Sequence, residues 1–325
     1  MSMKTAGARH GSTATSGLRL LIAAVALVFA LPRPPASAQE LEEISEEQAR
    51  PQFKLIGEAG FTYQGDADID GGGSLQVNRD NAAVGGQVEV VPGLRWSNTL
   101  FFGASNYDFD GGGFSAGNPW ETVLSMRYGA RLTYALNEQW GIFGGGILML
   151  SPETDADWGK SFTGGGTLGA DYRYSKTLFV SLGLGLITQI EGDVKVEPAV
   201  ALNWLPDEQW AVRVGAVPVS GGAAAAAEVA YQIAEPVGLG LGVLYNQRRF
   251  RLDNSGVAPN GVGEDNTLPV RLRLGWDITP NVSVHLLGGV VLGGKLRLED
   301  ENGNLLNKQS YDPAPYGGVR VEGWF

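Results

Sequence analysis

The chain has 325 residues, with 24 basic, 35 acidic, 48 glycine and no cysteine residues. Without cysteine it has neither a disulfide framework nor a thiolate-bound zinc or iron–sulfur centre, and with only His10 and His285 it has no multi-histidine metal site. A formal net charge of −11 argues against nucleic acid as a partner.

Residues 1–38 read as a secretory signal peptide. Lys4, Arg9 and Arg19 precede an apolar run of 12 residues, Leu20 to Leu31, and Ala36-Ser37-Ala38 supplies the small-residue cleavage site. Twelve apolar residues are too few for a membrane-spanning helix, which needs roughly 20. No cysteine follows the run, so a lipoprotein is not expected. Residues 39–51 are an acidic stretch expected to form a periplasmic lead-in.

From residue 52 to 325 the pattern has a period of two. In 120–136, Thr122, Leu124, Met126, Tyr128, Ala130, Leu132 and Tyr134 share one face, while Arg127, Arg131 and Thr133 share the other. Residues 267–278 repeat this, with Leu268, Val270, Leu272, Leu274 and Trp276 opposing Arg271 and Arg273. Successive strand residues point to opposite faces, so each segment has a greasy side and a charged side. Soluble sandwich strands are shorter, near five or six residues. Long alternating strands separated by turn residues predict an all-β, antiparallel transmembrane barrel.

Tight turns near 92–93, 137–139, 175–176, 206–209, 235–236 and 279–281 alternate with segments expected to be outer loops, at 65–80, 107–119, 151–160, 191–193, 219–222, 253–266 and 299–312. Strands are thus expected at 52–64, 81–91, 94–106, 120–136, 140–150, 161–174, 177–190, 194–205, 210–218, 223–234, 237–251, 267–278, 282–298 and 312–325. That makes about 14, with 12 as the alternative because 191–193 and 219–222 carry weak loop signals. An even number places both termini on the periplasmic side. Trp96, Tyr134, Trp140, Tyr172, Trp204, Trp210 and Trp276 recur near the turn ends, as an interfacial aromatic girdle would.

The final strand, Tyr316 to Phe325, carries a resemblance. It resembles the C-terminal signal of bacterial outer-membrane barrels, a terminal aromatic with alternating apolar positions. Val319, Val321 and Phe325 match the outward series, and Gly323 stands where an aromatic is usual. The resemblance implies integral residence in the outer membrane of a Gram-negative cell, contact with its lipid and lipopolysaccharide, and handling by the barrel assembly machinery. It points to no family of known activity.

Sorting charges by face sends Arg127, Arg131, Arg173, Arg213, Arg271, Arg273, Lys295 and Arg297 into the lumen, with fewer acidic groups beside them. Rings of basic side chains favour anions in pores, whereas carboxylates paired with them would knit the interior shut. Asp66, Asp68 and Asp70, followed by Gly71, have the alternate spacing of a calcium loop, but Val77 stands where an EF-hand needs Glu. No other cofactor is expected. His285 falls two residues from Ser283 on one strand face, the only candidate pair for nucleophilic chemistry. The expected function is therefore a passive, porin-like transport channel for small solutes with a net basic lumen, and not an enzyme. The alternatives are a closed structural or binding barrel presenting acidic outer loops and, last, a barrel enzyme using His285.

Overall fold

The computed structural model describes residues 53–219 and 222–325. The signal peptide expected at 1–38 and the lead-in expected at 39–51 lie outside the described residues. Strands run β1 Phe53–Asp68, β2 Ser74–Val91, β3 Leu94–Asp110, β4 Thr122–Ala135, β5 Trp140–Leu150, β6 Phe162–Arg173, β7 Leu178–Gln189 and β8 Gly192–Trp204. They continue with β9 Trp210–Val219, β10 Gly222–Ala234, β11 Val237–Arg251, β12 Val262–Thr279, β13 Val282–Glu299, β14 Leu305–Tyr311 and β15 Ala314–Trp324. Each strand from β1 to β13 pairs antiparallel with the next, and β15 closes the ring on β1, with Ala59 opposite Val321 and Phe61 opposite Val319. Strand β13 pairs with β14 towards one end and with β15 towards the other. These two share one place in the ring, interrupted at Asp312-Pro313 because proline has no N–H to give the ladder. The result is a closed barrel with fourteen strand positions. No helix among the described residues is long and apolar enough to cross a membrane.

The outward side chains of the barrel's middle are large, apolar and exposed: Leu100, Phe102, Leu148, Leu168, Leu182, Leu184, Leu241, Leu272 and Leu286. In water such a belt would cost roughly 25 cal/mol per Å² left uncovered, so it is a surface built for hydrocarbon. At the tight-turn end it meets exposed Trp96, Tyr134, Trp140, Tyr174, Trp204, Trp210 and Trp276. Neighbouring rings pack there, Trp140 with Tyr172 at 4.5 Å and Trp210 with Tyr231 at 4.8 Å between centroids.

Several strands are longer than the alternation suggested. β2, β12 and β13 each have 18 residues, whereas β9 has 10. About 9–11 residues suffice to cross the hydrocarbon layer, so the long strands rise well above it. Four segments expected as loops are therefore partly strand, 65–80 and 299–312 for more than half their length, and the connections are 69–73, 111–121, 252–261 and 300–304. The alanine run at 223–227 is strand, within β10.

The inner space is not uniform. At the loop end a buried apolar cluster fills it, centred on Trp120 and including Leu75, Val77, Tyr107, Phe109, Phe114, Phe250, Leu252, Leu296 and Leu298. The segment Ser151–Thr154 runs beside this plug. Leu124 N donates to Pro152 O (2.8 Å) and Thr154 N to Thr122 O (2.8 Å) on the β4 side. On the other side Glu153 N donates to Arg251 O (2.7 Å) and Arg251 N to Ser151 O (2.9 Å). β4 and β11 stand opposite one another in the ring, so this segment hydrogen-bonds the barrel from wall to wall.

The wall itself has one thin place. β8 pairs with β7 up to Lys195 and again at Gly192, but with β9 only from Trp204 to Val200. Above that, residues 192–199 have no β9 partner among the described residues, while β9 pairs on with β10 to Val219. The tip between β7 and β8 reaches past β9 and β10 to β11. There Arg249 donates to Ile190 O (2.7 Å) and Arg251 pairs with Glu191.

Candidate functional site: the barrel interior

Beneath the plug lies a chamber of about 390 Å³, lined by Phe101, Ser125, Arg127, Met149, Leu244 and Arg271 among others. Two further chambers open towards the tight-turn end. One of about 660 Å³ holds Arg213, Glu228, Arg273, His285 and Glu322, and one of about 430 Å³ holds Arg95, Arg131, Asp171 and Arg173. Arg271 and Arg320 line both the central chamber and the larger lower one, so they stand at the neck between them.

Most charge in this interior is paired. Arg273 grips Glu228 with two hydrogen bonds, at 2.7 and 3.1 Å, and Arg213 lies 3.5 Å from the same carboxylate. Arg273 Nη1 also meets His285 Nδ1 at 3.3 Å, His285 Nε2 is 3.5 Å from Glu322, and Glu322 is 3.4 Å from Arg320. The chain of contacts crosses five strands, β9, β10, β12, β13 and β15. Arg131 pairs with Asp171 at 2.7 Å and its guanidinium lies 3.6 Å over the Phe143 ring. Arg127 stacks on Phe101 at 4.9 Å. Arg173 is exposed at the lower chamber's rim.

Phe143 can lie flat because Gly169 and Gly183 sit beneath it on the next two strands. A Cβ at Gly169 would stand 2.3 Å from Leu182 O and 2.4 Å from the Phe143 ring. Gly169→Val is expected to lower the yield of refolded barrel severely, because backbone cannot yield as a flexible side chain can. Heat-modifiable gel mobility reads this directly, and an unchanged folded fraction would remove the packing role assigned to Phe143.

Two residues expected in the lumen are not there. β13 carries one extra residue at Leu292-Gly293, where the register against β12 shifts between Thr267/Gly294 and Pro269/Val291 and Gly293 has φ +84°. A bulge of this kind reverses the faces of everything beyond it. Leu296 and Leu298 consequently turn into the plug, and Lys295 and Arg297 turn outward, beside exposed Leu292.

Asp66 and Asp68 lie on strand β1 and Asp70 just beyond it, all exposed and alternating with buried Ala67 and Ile69. Extended backbone spreads them along a line instead of wrapping them round an ion. Among the described residues no group of three or more His, Asp or Glu could hold a metal. Ser283 and His285 make separate contacts, the hydroxyl with Asp277 and the ring with Arg273 and Glu322, so no Ser–His couple forms. Val319 and Val321 face outward against Leu286 and Val284. Phe325 exchanges backbone hydrogen bonds with Leu55 at 2.8 Å each, at the ring's seam.

The interior's most buried network is absent from the alternation-based list. Asp265 is wholly buried, 0 % exposed, and accepts from Arg79 (2.9 Å), Tyr107 (2.9 Å) and Tyr311 (3.1 Å), with Arg248 at 3.6 Å. Arg79, Tyr107, Asp265 and Tyr311 all fall in segments that read as outer loops. Their signal was the alternation of Leu75 with Val77 and of Tyr107 with Phe109 inside those segments. In the loop above, the Glu153 carboxylate accepts from Glu121 N (2.7 Å) and Asp253 N (3.0 Å) and so ties three connections together. Burial pushes the Glu153 carboxyl above its ordinary range.

No family model and no curated protein matches the chain. Among solved structures it is similar to an outer membrane channel from Pseudomonas putida F1, at 10% identity and a TM-score of 0.45, covering 90% of this chain and 100% of that one. It is also similar to the P. putida toluene transporter TodX, at 10% identity and 0.46 (85% and 90% covered), and to a Pseudomonas aeruginosa FadL homologue, at 9% and 0.43 (84% and 89%). Scores this low carry no argument beyond the shared barrel.

Proposed function

We propose that this chain is an outer-membrane barrel that conducts small, partly apolar solutes, admitted through the wall between β8 and β9 and not through the barrel's outer end. The observation that carries this reading is the contrast between the two routes. The outer end is hydrogen-bonded from wall to wall beside an aromatic plug, while the ladder between β8 and β9 stops at Val200 and Ala216. The central chamber reaches Ala224, whose strand partner Val217 borders the unpaired stretch. A solute dissolved in the outer leaflet would meet the stretch sideways, leave hydrocarbon for a chamber whose lining mixes apolar groups such as Phe101, Met149 and Leu244 with charged ones such as Arg127 and Arg271, and pass Arg271 and Arg320 towards the tight turns. By their short turns, that end and both termini are assigned to the periplasm.

Of the basic residues expected in the lumen, Lys295 and Arg297 leave it, Arg131, Arg213 and Arg273 pair with Asp171 and Glu228, and Arg127, Arg173 and Arg271 have no ion pair among the described residues. This pairing also favours a second reading, a closed barrel that never conducts. Cysteines at Ala199 and Val217, which would face each other if the β8–β9 ladder continued past Val200 and Ala216, separate the readings. The chain has no cysteine of its own, so oxidation can form only this bond. Proteoliposome uptake of a small apolar dye is expected to fall to background on oxidation and return on reduction. Equal uptake in both states would end the lateral route, and no uptake in either would favour the closed barrel.

A further inference from the structure

The bulge at Leu292-Gly293 does more than empty the lumen of two cations. On the outer wall it forms a groove of about 530 Å³ whose floor is Leu268 and Leu292 and whose upper rim is Lys295, Arg297 and Lys308. Leu268 and Leu292 are exposed and continue the apolar belt. Arg297 and Lys308 stand directly opposite each other on β13 and β14, and Lys295 opposes Ser310. Like charges directly across a ladder repel, and here one carboxylate partly offsets them, Glu299 on Arg297. Glu299 is shared with Arg249, as is Glu264 at the groove's edge. Neither Lys295 nor Lys308 has an ion pair among the described residues. On a chain of net charge −11, with exposed Asp66, Asp68 and Asp70 close by in space (Asp70 N donates to Ser310 O, 3.0 Å), such a cationic rim is out of keeping with a merely solvated surface.

We infer that this groove binds the phosphate-bearing headgroup of an outer-leaflet lipid, acyl chains against Leu268 and Leu292 and phosphate between Lys295, Arg297 and Lys308. The height of the groove decides the occupant, because apolar floor and cationic rim meet where a lipid changes from chain to headgroup. The inference rests on the membrane reading of the belt, not on conduction. The test uses the refolded full chain in neutral detergent with diphosphoryl lipid A as probe, followed by native mass spectrometry. Lys295→Gln/Lys308→Gln is expected to weaken retention about thirtyfold, from two lost charges near a phosphate, while Lys160→Gln in an outer loop leaves it unchanged. Equal retention by wild type and the double variant would overturn the inference. So would full competition by millimolar inorganic phosphate, which would mark an anion site indifferent to lipid. Folding is scored separately by heat-modifiable mobility, and failure to insert into phosphatidylcholine vesicles would count against the membrane reading itself.

Discussion

Trp120→Ala is expected to unseal the outer end of the barrel and give steady single-channel conductance where the wild-type chain gives little. Trp120 is 1% exposed although it comes from a connection between strands. Its indole meets four rings edge-on: Tyr107 at 5.9 Å, Phe109 at 5.4 Å, Phe114 at 5.8 Å and Phe250 at 5.2 Å. Removing it leaves a void that a rigid ring of strands cannot collapse to fill, at a cost of about 3–5 kcal/mol. The ladder bonds of the barrel do not pass through this residue, so loss is expected in the plug while the ring persists. Trp120→Phe keeps most of the volume and removes the indole N–H, which is buried without a partner. That variant is expected to stay sealed. Planar-bilayer recordings and urea midpoints of both variants decide the matter. Conductance no greater in the alanine variant than in the wild type would show that the wall-to-wall segment at 151–154 closes the mouth unaided.

The polarity of the interior explains how far the sequence could be read. Within the membrane layer apolar residues face out, as in Leu272, Leu274 and Trp276 opposed by Arg271 and Arg273, and the alternation is plain. Above that layer the sense reverses. Leu75 and Val77 face inward to the plug on the same strand whose Val84 faces lipid. A strand that changes the meaning of its alternation halfway looks like a strand followed by a loop, which is why 65–80 and 253–266 read as loops and the Asp265 network went unseen. The bulge at Gly293 is a different obstacle. It is one residue long, leaves no break in the pattern, and is decided by what Leu296 and Leu298 gain in the plug. Asp171, Glu228 and Glu322 sort inward by alternation alone, but which arginine each holds depends on register between strands, which spacing does not contain.

Asp265→Asn is expected to destabilise the barrel by about 3–5 kcal/mol, the usual result of leaving buried charge without its partner. Asp265 answers four groups from β2, β3, β11 and β14: Arg79, Tyr107, Arg248 and Tyr311. With an amide in its place, Arg79 and Arg248 would face one another in a dry interior, and the new NH₂ would point at donors. An exposed pair is the natural contrast. Arg213 lies 3.5 Å from Glu228 with 54% of its side chain exposed, and Arg213→Gln is expected to cost no more than about 1 kcal/mol. Thermal unfolding in detergent, followed by gel mobility, measures both. Arg79→Gln combined with Asp265→Asn is expected to recover part of the loss, since the excess cation is then gone. Equal effects of the Asp265 and Arg213 substitutions, or no recovery in the double variant, would mean that the plug rests on its aromatic packing and not on the carboxylate beneath it.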